Sequence, residues 1–143
     1  MRFLIKPPEG FGLAYIDFAS QEIGIAAGLS GDEQMAEGYL DGDPYLAFAK
    51  AARLAPPEAT KQSHKAIRDR CKAIVLGINY GMGPEAMAMQ AGITPVEAKE
   101  LLRLHKETYR PFWRWIEDTV SSAMLTGGNE NSVWLASQCR SRA

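Results

Sequence analysis

Residues 68–81 read RDRCKAIVLGINYG, and the reading of this stretch decides the fold. At about 100° per residue, Lys65, Arg68, Lys72 and Leu76 fall within an arc of roughly 80° on one helix face. Ile67, Cys71, Ile74, Val75 and Ile78 occupy the adjoining arc. A helix is therefore expected whose apolar side packs on a core while Arg68 and Lys72, one turn apart, point together at an edge. Two such cations suit a polyphosphate, because arginine offers a planar fork to phosphate oxygens and lysine a mobile point charge. A solvated basic face is the competing reading, and spacing alone does not choose between them.

Outward from this helix, the chain reads as a series of helices with marked ends. Ser63 is expected to cap the helix upstream of Lys65, and Gly83-Pro84 to start a short helix that Gly92 stops. Thr94-Pro95-Val96-Glu97 has capping-box spacing, which predicts a long helix through LLRLHKETYRPFWRWIEDTVSSAML, kinked or divided at Pro111. Towards the N-terminus, Asp43-Pro44 places a carboxylate cap before a proline at the first helical position, and Pro56-Pro57 closes that helix. Ser30-Gly31-Asp32 ends one helix and caps the next, although Gly24 and Gly28 weaken the helix that starts near Ser20. Gly12–Phe18, GLAYIDF, is short, apolar and aromatic and reads as a buried strand with Asp17 near its end. From Gly127 onward periodicity is lost, which leaves a linker, a truncated element or an unrelated C-terminus.

Bulk properties narrow the function classes. The 143 residues make one ordinary domain or part of a larger one. With 16 Lys and Arg against 17 Asp and Glu, any nucleic-acid role must be local rather than spread over a basic surface. No run is apolar enough to span a bilayer, and Lys6 and Pro7 interrupt any signal-peptide core, so a cytoplasmic setting is expected. Cys71 and Cys139 have neither disulfide-framework nor zinc spacing, and His64 and His105 lack a spaced set of metal partners. Tyr109, Phe112, Trp113 and Trp115 are expected to pack in a core, with stacking on single-stranded bases as the alternative.

The pattern RxxxKxxxxGxxYG formed by Arg68, Lys72, Gly77, Tyr80 and Gly81 resembles the fingers-helix motif, motif B, of family A DNA polymerases. DFASQEIGIAAGLSGD, residues 17–32, resembles motif A of the same family, in a form similar to phage-type members. The resemblance covers about Gly12 to Leu125 and implies a fold that is mainly α with a minor β element, fingers helices attached to a remnant of the palm sheet. Residues 1–40 would be the palm remnant with the motif A strand and helix, 41–126 the fingers, and 127–143 a divergent or truncated tail. It further implies that Arg68 and Lys72 bind the triphosphate of an incoming deoxynucleotide and that Tyr80 lies against the nascent base pair. Asp17 would hold catalytic Mg²⁺, and Glu22 would exclude a ribose 2'-hydroxyl. Leu76 stands where the family usually has an aromatic beside the sugar and base, and Tyr45 where many members have a phosphate-contacting histidine. Bottom-up, Asp17 is equally well a strand-end carboxylate accepting from backbone amides, Glu22 a helix-face acid, and Tyr45 a packing residue.

Two-metal phosphoryl transfer needs at least two placed carboxylates, and no His-Asp-Glu triplet of the family's motif C follows Gly81. The chain is therefore expected to be a fragment or truncated product, a nucleotide-binding palm and fingers piece of a DNA-directed DNA polymerase that is inactive alone. Its partners would be a deoxynucleoside triphosphate, primer-template DNA and the missing remainder of the polymerase, in a bacterial cell or phage-infected host. The alternative is a helix-turn-helix-like DNA-binding module, in which residues 86–110 supply a helix, the turn Gly92-Ile93-Thr94 and a second helix. That second helix begins with Pro95, Val96, Glu97 and Ala98, poor residues for reading base edges.

Overall fold

The computed structural model describes residues 6–14 and 16–126, so the expectations for 127–143 and Cys139 lie outside the described residues. Seven helices follow one another: α1 (Gln21–Ser30), α2 (Glu33–Leu40), α3 (Pro44–Ala51), α4 (Lys65–Asn79), α5 (Pro84–Ala91), α6 (Pro95–Thr108) and α7 (Arg110–Thr126). The breaks fall where local chemistry demands them. Gly31 takes a left-handed conformation that terminates α1, and the Asp32 carboxylate then accepts the Met35 N–H at 3.0 Å to start α2. Asp43 accepts from Leu46 N–H at 3.2 Å ahead of Pro44, and Thr94 with Glu97 closes a complete capping box on α6. Pro111 divides the long C-terminal helix as expected: α6 ends at Thr108, Tyr109 leaves helical geometry, and the proline falls in the first turn of α7, where no intrahelical N–H is required.

Two expectations are corrected. The strand over Gly12–Phe18 does not form: its described residues have no regular structure and are exposed, Ile16 at 85%, and no strand occurs among the described residues. A strand is stable only when a neighbour completes its hydrogen-bond ladder and its apolar face is covered, and the helices here offer neither. The α4 cap is the second correction. Position 64 is the cap residue, with no side-chain hydrogen bond, because the Ser63 hydroxyl is engaged with Thr60 and with His64 Nδ1 at 2.8 Å.

Helix α4 is the centre of the packing. It contacts α3, α5 and α6, while α2 packs on α1 and α3, and α7 returns to α1. Its apolar arc is buried as the periodicity requires, with Cys71 and Ile74 fully inside and Val75 and Ile78 beside them. Burial pushes the Cys71 thiol up to about 12, so it is an inert core group. Two motif glycines have separate reasons. A Cβ on Gly77 would lie 2.8 Å from Met87 Cγ, so the glycine permits the close approach of α4 and α5. Gly81 takes φ +66°, which lets its own N–H and that of Met82 turn back onto the carbonyls of Ile78 and Gly77.

The aromatic quartet is core and core margin. Tyr109 and Phe112 are buried, and Trp113 and Trp115 are half-buried. His105 lies among them with its ring edge-on to Phe48 at 5.1 Å and Tyr109 at 4.8 Å. Its Nδ1 accepts from Trp113 Nε1 at 3.0 Å, which places the proton of the neutral ring on Nε2. Burial holds the His105 pKa down at about 3. An unfolded chain therefore takes up a proton below pH 6.5 that the folded chain refuses, and stability is full above that pH and falls with acid towards pH 3. The expected loss between pH 7 and 5 is about 2 kcal/mol, read from urea unfolding midpoints. His105→Phe should flatten this slope, and a slope identical to wild type would contradict the assignment.

Candidate functional site

The N-terminal ends of α1 and α3 meet the outer face of α4. Asp43, held at the head of α3 by its cap, extends its second oxygen to Arg68 Nε at 2.6 Å. The Arg68 guanidinium lies 5.4 Å from the centroid of the Tyr45 ring, and Lys72 Nζ lies 5.7 Å from the same centroid. Tyr45 is itself buried at 5% exposure, so one fixed ring underlies both cations. Its hydroxyl accepts from Ser20 Oγ at 3.3 Å, which ties this floor to the start of α1. Ser20 adopts φ 51° and ψ 35° there, a left-handed conformation uncommon for a residue with a Cβ.

The cations of α4 are not equivalent. The Arg68 side chain is only 13% exposed, whereas Lys65 is 76% exposed and pairs with Asp69 at 2.8 Å. Lys72 is exposed to solvent. Burial works against the Arg68 charge, but the hydrogen bond and charge of Asp43, helped by Asp69, outweigh it and hold the guanidinium above its usual pKa. At the far end of the helix, Tyr80 is exposed and its hydroxyl makes a long hydrogen bond of 3.5 Å to Glu22 Oε1. Leu76, between the two ends, is half-buried and packs against the core cluster.

Arg68, Lys72, Tyr45, Tyr80 and Glu22 thus share one face, assembled from helices far apart in sequence. Asp17 lies in the exposed segment before α1. Asp43 was legible in the sequence only as a cap, since no local pattern signals a partner twenty-five residues away. Asp32 is likewise more than a cap: its other oxygen accepts from Phe112 N–H at 3.4 Å and joins the starts of α2 and α7. No group of three His, Cys, Asp or Glu that could hold a metal ion occurs among the described residues. The carboxylate of Asp17 is by its chemistry an oxygen ligand suited to Mg²⁺.

The sequence profile of DNA polymerase family A matches residues 1–134. The chain belongs to DNA polymerase family A. This family A chain is 32% identical over 126 residues to a DNA polymerase of Mycobacterium phage D29, covering 87% of its own length and 20% of the relative. It is 27% identical over 128 residues to DNA polymerase theta of Mus musculus, covering 89% of itself and 5% of that protein. With the thermostable DNA polymerase I of Thermus thermophilus it shares 26% identity over 119 residues, covering 82% of itself and 14% of the relative. The family A chain therefore spans a fifth or less of the length of these relatives.

The α5–Gly92–α6 segment has the outline of a helix-turn-helix, but two of its cations, Lys99 and Arg103, are paired within it. Arg103 bonds Glu100 and Glu107, and Lys99 lies 3.7 Å from Glu85. The start of α6 exposes Pro95, Val96 and Glu97 rather than a row of donors. No helix among the described residues is long and apolar enough to cross a membrane.

Proposed function

We propose that this chain is the nucleotide-holding palm and fingers piece of a DNA-directed DNA polymerase, with residues 1–40 as palm remnant and 41–126 as fingers. The observation that carries the reading is the placement of Arg68 and Lys72 over the single Tyr45 ring, on the helix whose other end carries Tyr80 beside Glu22. A fixed arginine fork and a mobile ammonium one turn apart suit the oxygens of a polyphosphate. Leu76, half-buried one turn beyond Lys72, offers an apolar flank to the sugar and base. Tyr80 would lie against the base pair, and Glu22, its hydrogen-bond partner, would obstruct a 2'-hydroxyl.

The intact polymerase would add a deoxynucleotide to a primer 3' end in a cytoplasmic setting, with primer-template DNA as partner. In that parent, Asp17 is the residue assigned to Mg²⁺, which would supply charge stabilisation for phosphoryl transfer. Two-metal transfer needs at least two placed carboxylates, and no His-Asp-Glu triplet follows Gly81, so the chain alone would bind nucleotide without extending a primer. Calorimetric titration with magnesium dATP and with dAMP tests the reading. The triphosphate is expected to bind at least about tenfold more tightly, since only it can engage both cations. Equal affinity for the two nucleotides would sink the assignment, and primer extension by the purified chain would sink the claim of inactivity.

A further inference from the structure

We infer that Asp43 is a positioning residue for the triphosphate: it fixes the Arg68 guanidinium by its Nε edge and thereby turns the remaining edge of the fork towards the nucleotide phosphates. The inference rests on the triphosphate reading of the α4 face and adds to it a residue that touches no substrate. The two oxygens of Asp43 have separate partners. Oδ1 accepts from Leu46 N–H at 3.2 Å, locking the carboxylate to the first turn of α3, and Oδ2 accepts from Arg68 Nε at 2.6 Å. Both side chains are largely covered, Arg68 at 13% and Asp43 at 22% exposure, so this contact is held against solvent competition.

A guanidinium offers donors along two edges, and its five N–H groups lie in one rigid plane. Asp43 takes the inner donor, and the Tyr45 ring 5.4 Å below limits rotation of the plane. On the outer side the Nη1 contact to exposed Asp69 is 3.3 Å, the longest of the Arg68 carboxylate contacts and the one an incoming phosphate would replace. Asp43 is negative, and on charge alone it would repel a triphosphate. That charge is already matched by Arg68 and by the N–H dipoles of α3, so its net effect at the outer face is screened, while the orientation it imposes is not. An arginine that starts in its bound geometry loses less freedom when phosphate arrives.

The test is a double-mutant cycle read as magnesium dATP affinity of the full chain. Asp43→Asn keeps an oxygen for the Leu46 cap and removes the charge, and it is expected to weaken binding by about fivefold. In an Arg68→Ala background the same substitution should change nothing, because Asp43 acts through Arg68. Asp43→Ser, which retains a capping hydroxyl and has no second oxygen, should behave as Asn does and covers the case in which Asp43→Asn fails to fold. Equal weakening in both backgrounds would mean that Asp43 is only a cap, and unchanged or tighter binding would mean that it is neutral or a competitor; each overturns the inference. Absence of dATP binding by the wild-type chain would instead overturn the triphosphate reading itself, and this inference with it.

Discussion

Arg68→Ala is expected to weaken magnesium dATP binding by roughly 10- to 100-fold, the largest effect of any single substitution on the candidate site. The magnitude follows from a charged fork that is already oriented: its inner edge is on Asp43 at 2.6 Å, its plane is over Tyr45, and only 13% of its side chain is exposed. A hydrogen bond between two charged partners contributes about 1.5–3 kcal/mol, which is one to two decades in affinity. Lys72→Ala should cost less, about fivefold, because Lys72 is exposed and acts as a point charge that salt screens. The loss in Arg68→Ala should persist at high salt more than that in Lys72→Ala. Affinities measured at two ionic strengths decide this, and undiminished binding by both variants would remove the helix from the site.

Phe48→Ala is expected to destabilise the chain by about 3–5 kcal/mol, a large part of the roughly 5–15 kcal/mol that holds a domain of this kind together. Phe48 has no exposed surface, meets His105 edge-on at 5.1 Å and lies 5.9 Å from the Tyr109 ring, so its removal opens a cavity where α3, α6 and the start of α7 converge. The same helix carries Asp43 and Tyr45 at its head. A residual fold that lacks Phe48 should therefore also bind nucleotide less well. Urea unfolding measures the first effect, and a loss below about 1 kcal/mol would mean that this part of the core is not close-packed.

What could be read from the sequence was what is local in the chain. The αL stop at Gly31, the Asp43-Pro44 start, the Thr94–Glu97 capping box and the buried arc of α4 each depend on residues within a turn of one another. The Gly12–Phe18 strand was misread for the complementary reason: apolar, aromatic text licenses a strand only where a partner strand exists, and none does among the described residues. Ser63 failed as a cap because its hydroxyl had nearer partners in Thr60 and His64. The site was half legible. Arg68 and Lys72 are one turn apart and visible by spacing, and Tyr45 is indicated by the family resemblance, whereas the place of its ring beneath both cations and the Asp43 anchor emerge only with tertiary packing. Asp32 is similar, since its reach to Phe112 spans eighty positions.

The most direct test of the central claim is a backbone amide NMR titration of the full chain with magnesium dATP. Shifts are expected to saturate together and to cluster at the head of α3, from Asp43 to Leu46, along α4 from Arg68 to Tyr80, and at Glu22. Amides that stay silent there, while the start of α6 from Pro95 onward responds to a short DNA duplex, would contradict a triphosphate site on α4 and favour a DNA-binding module in its place.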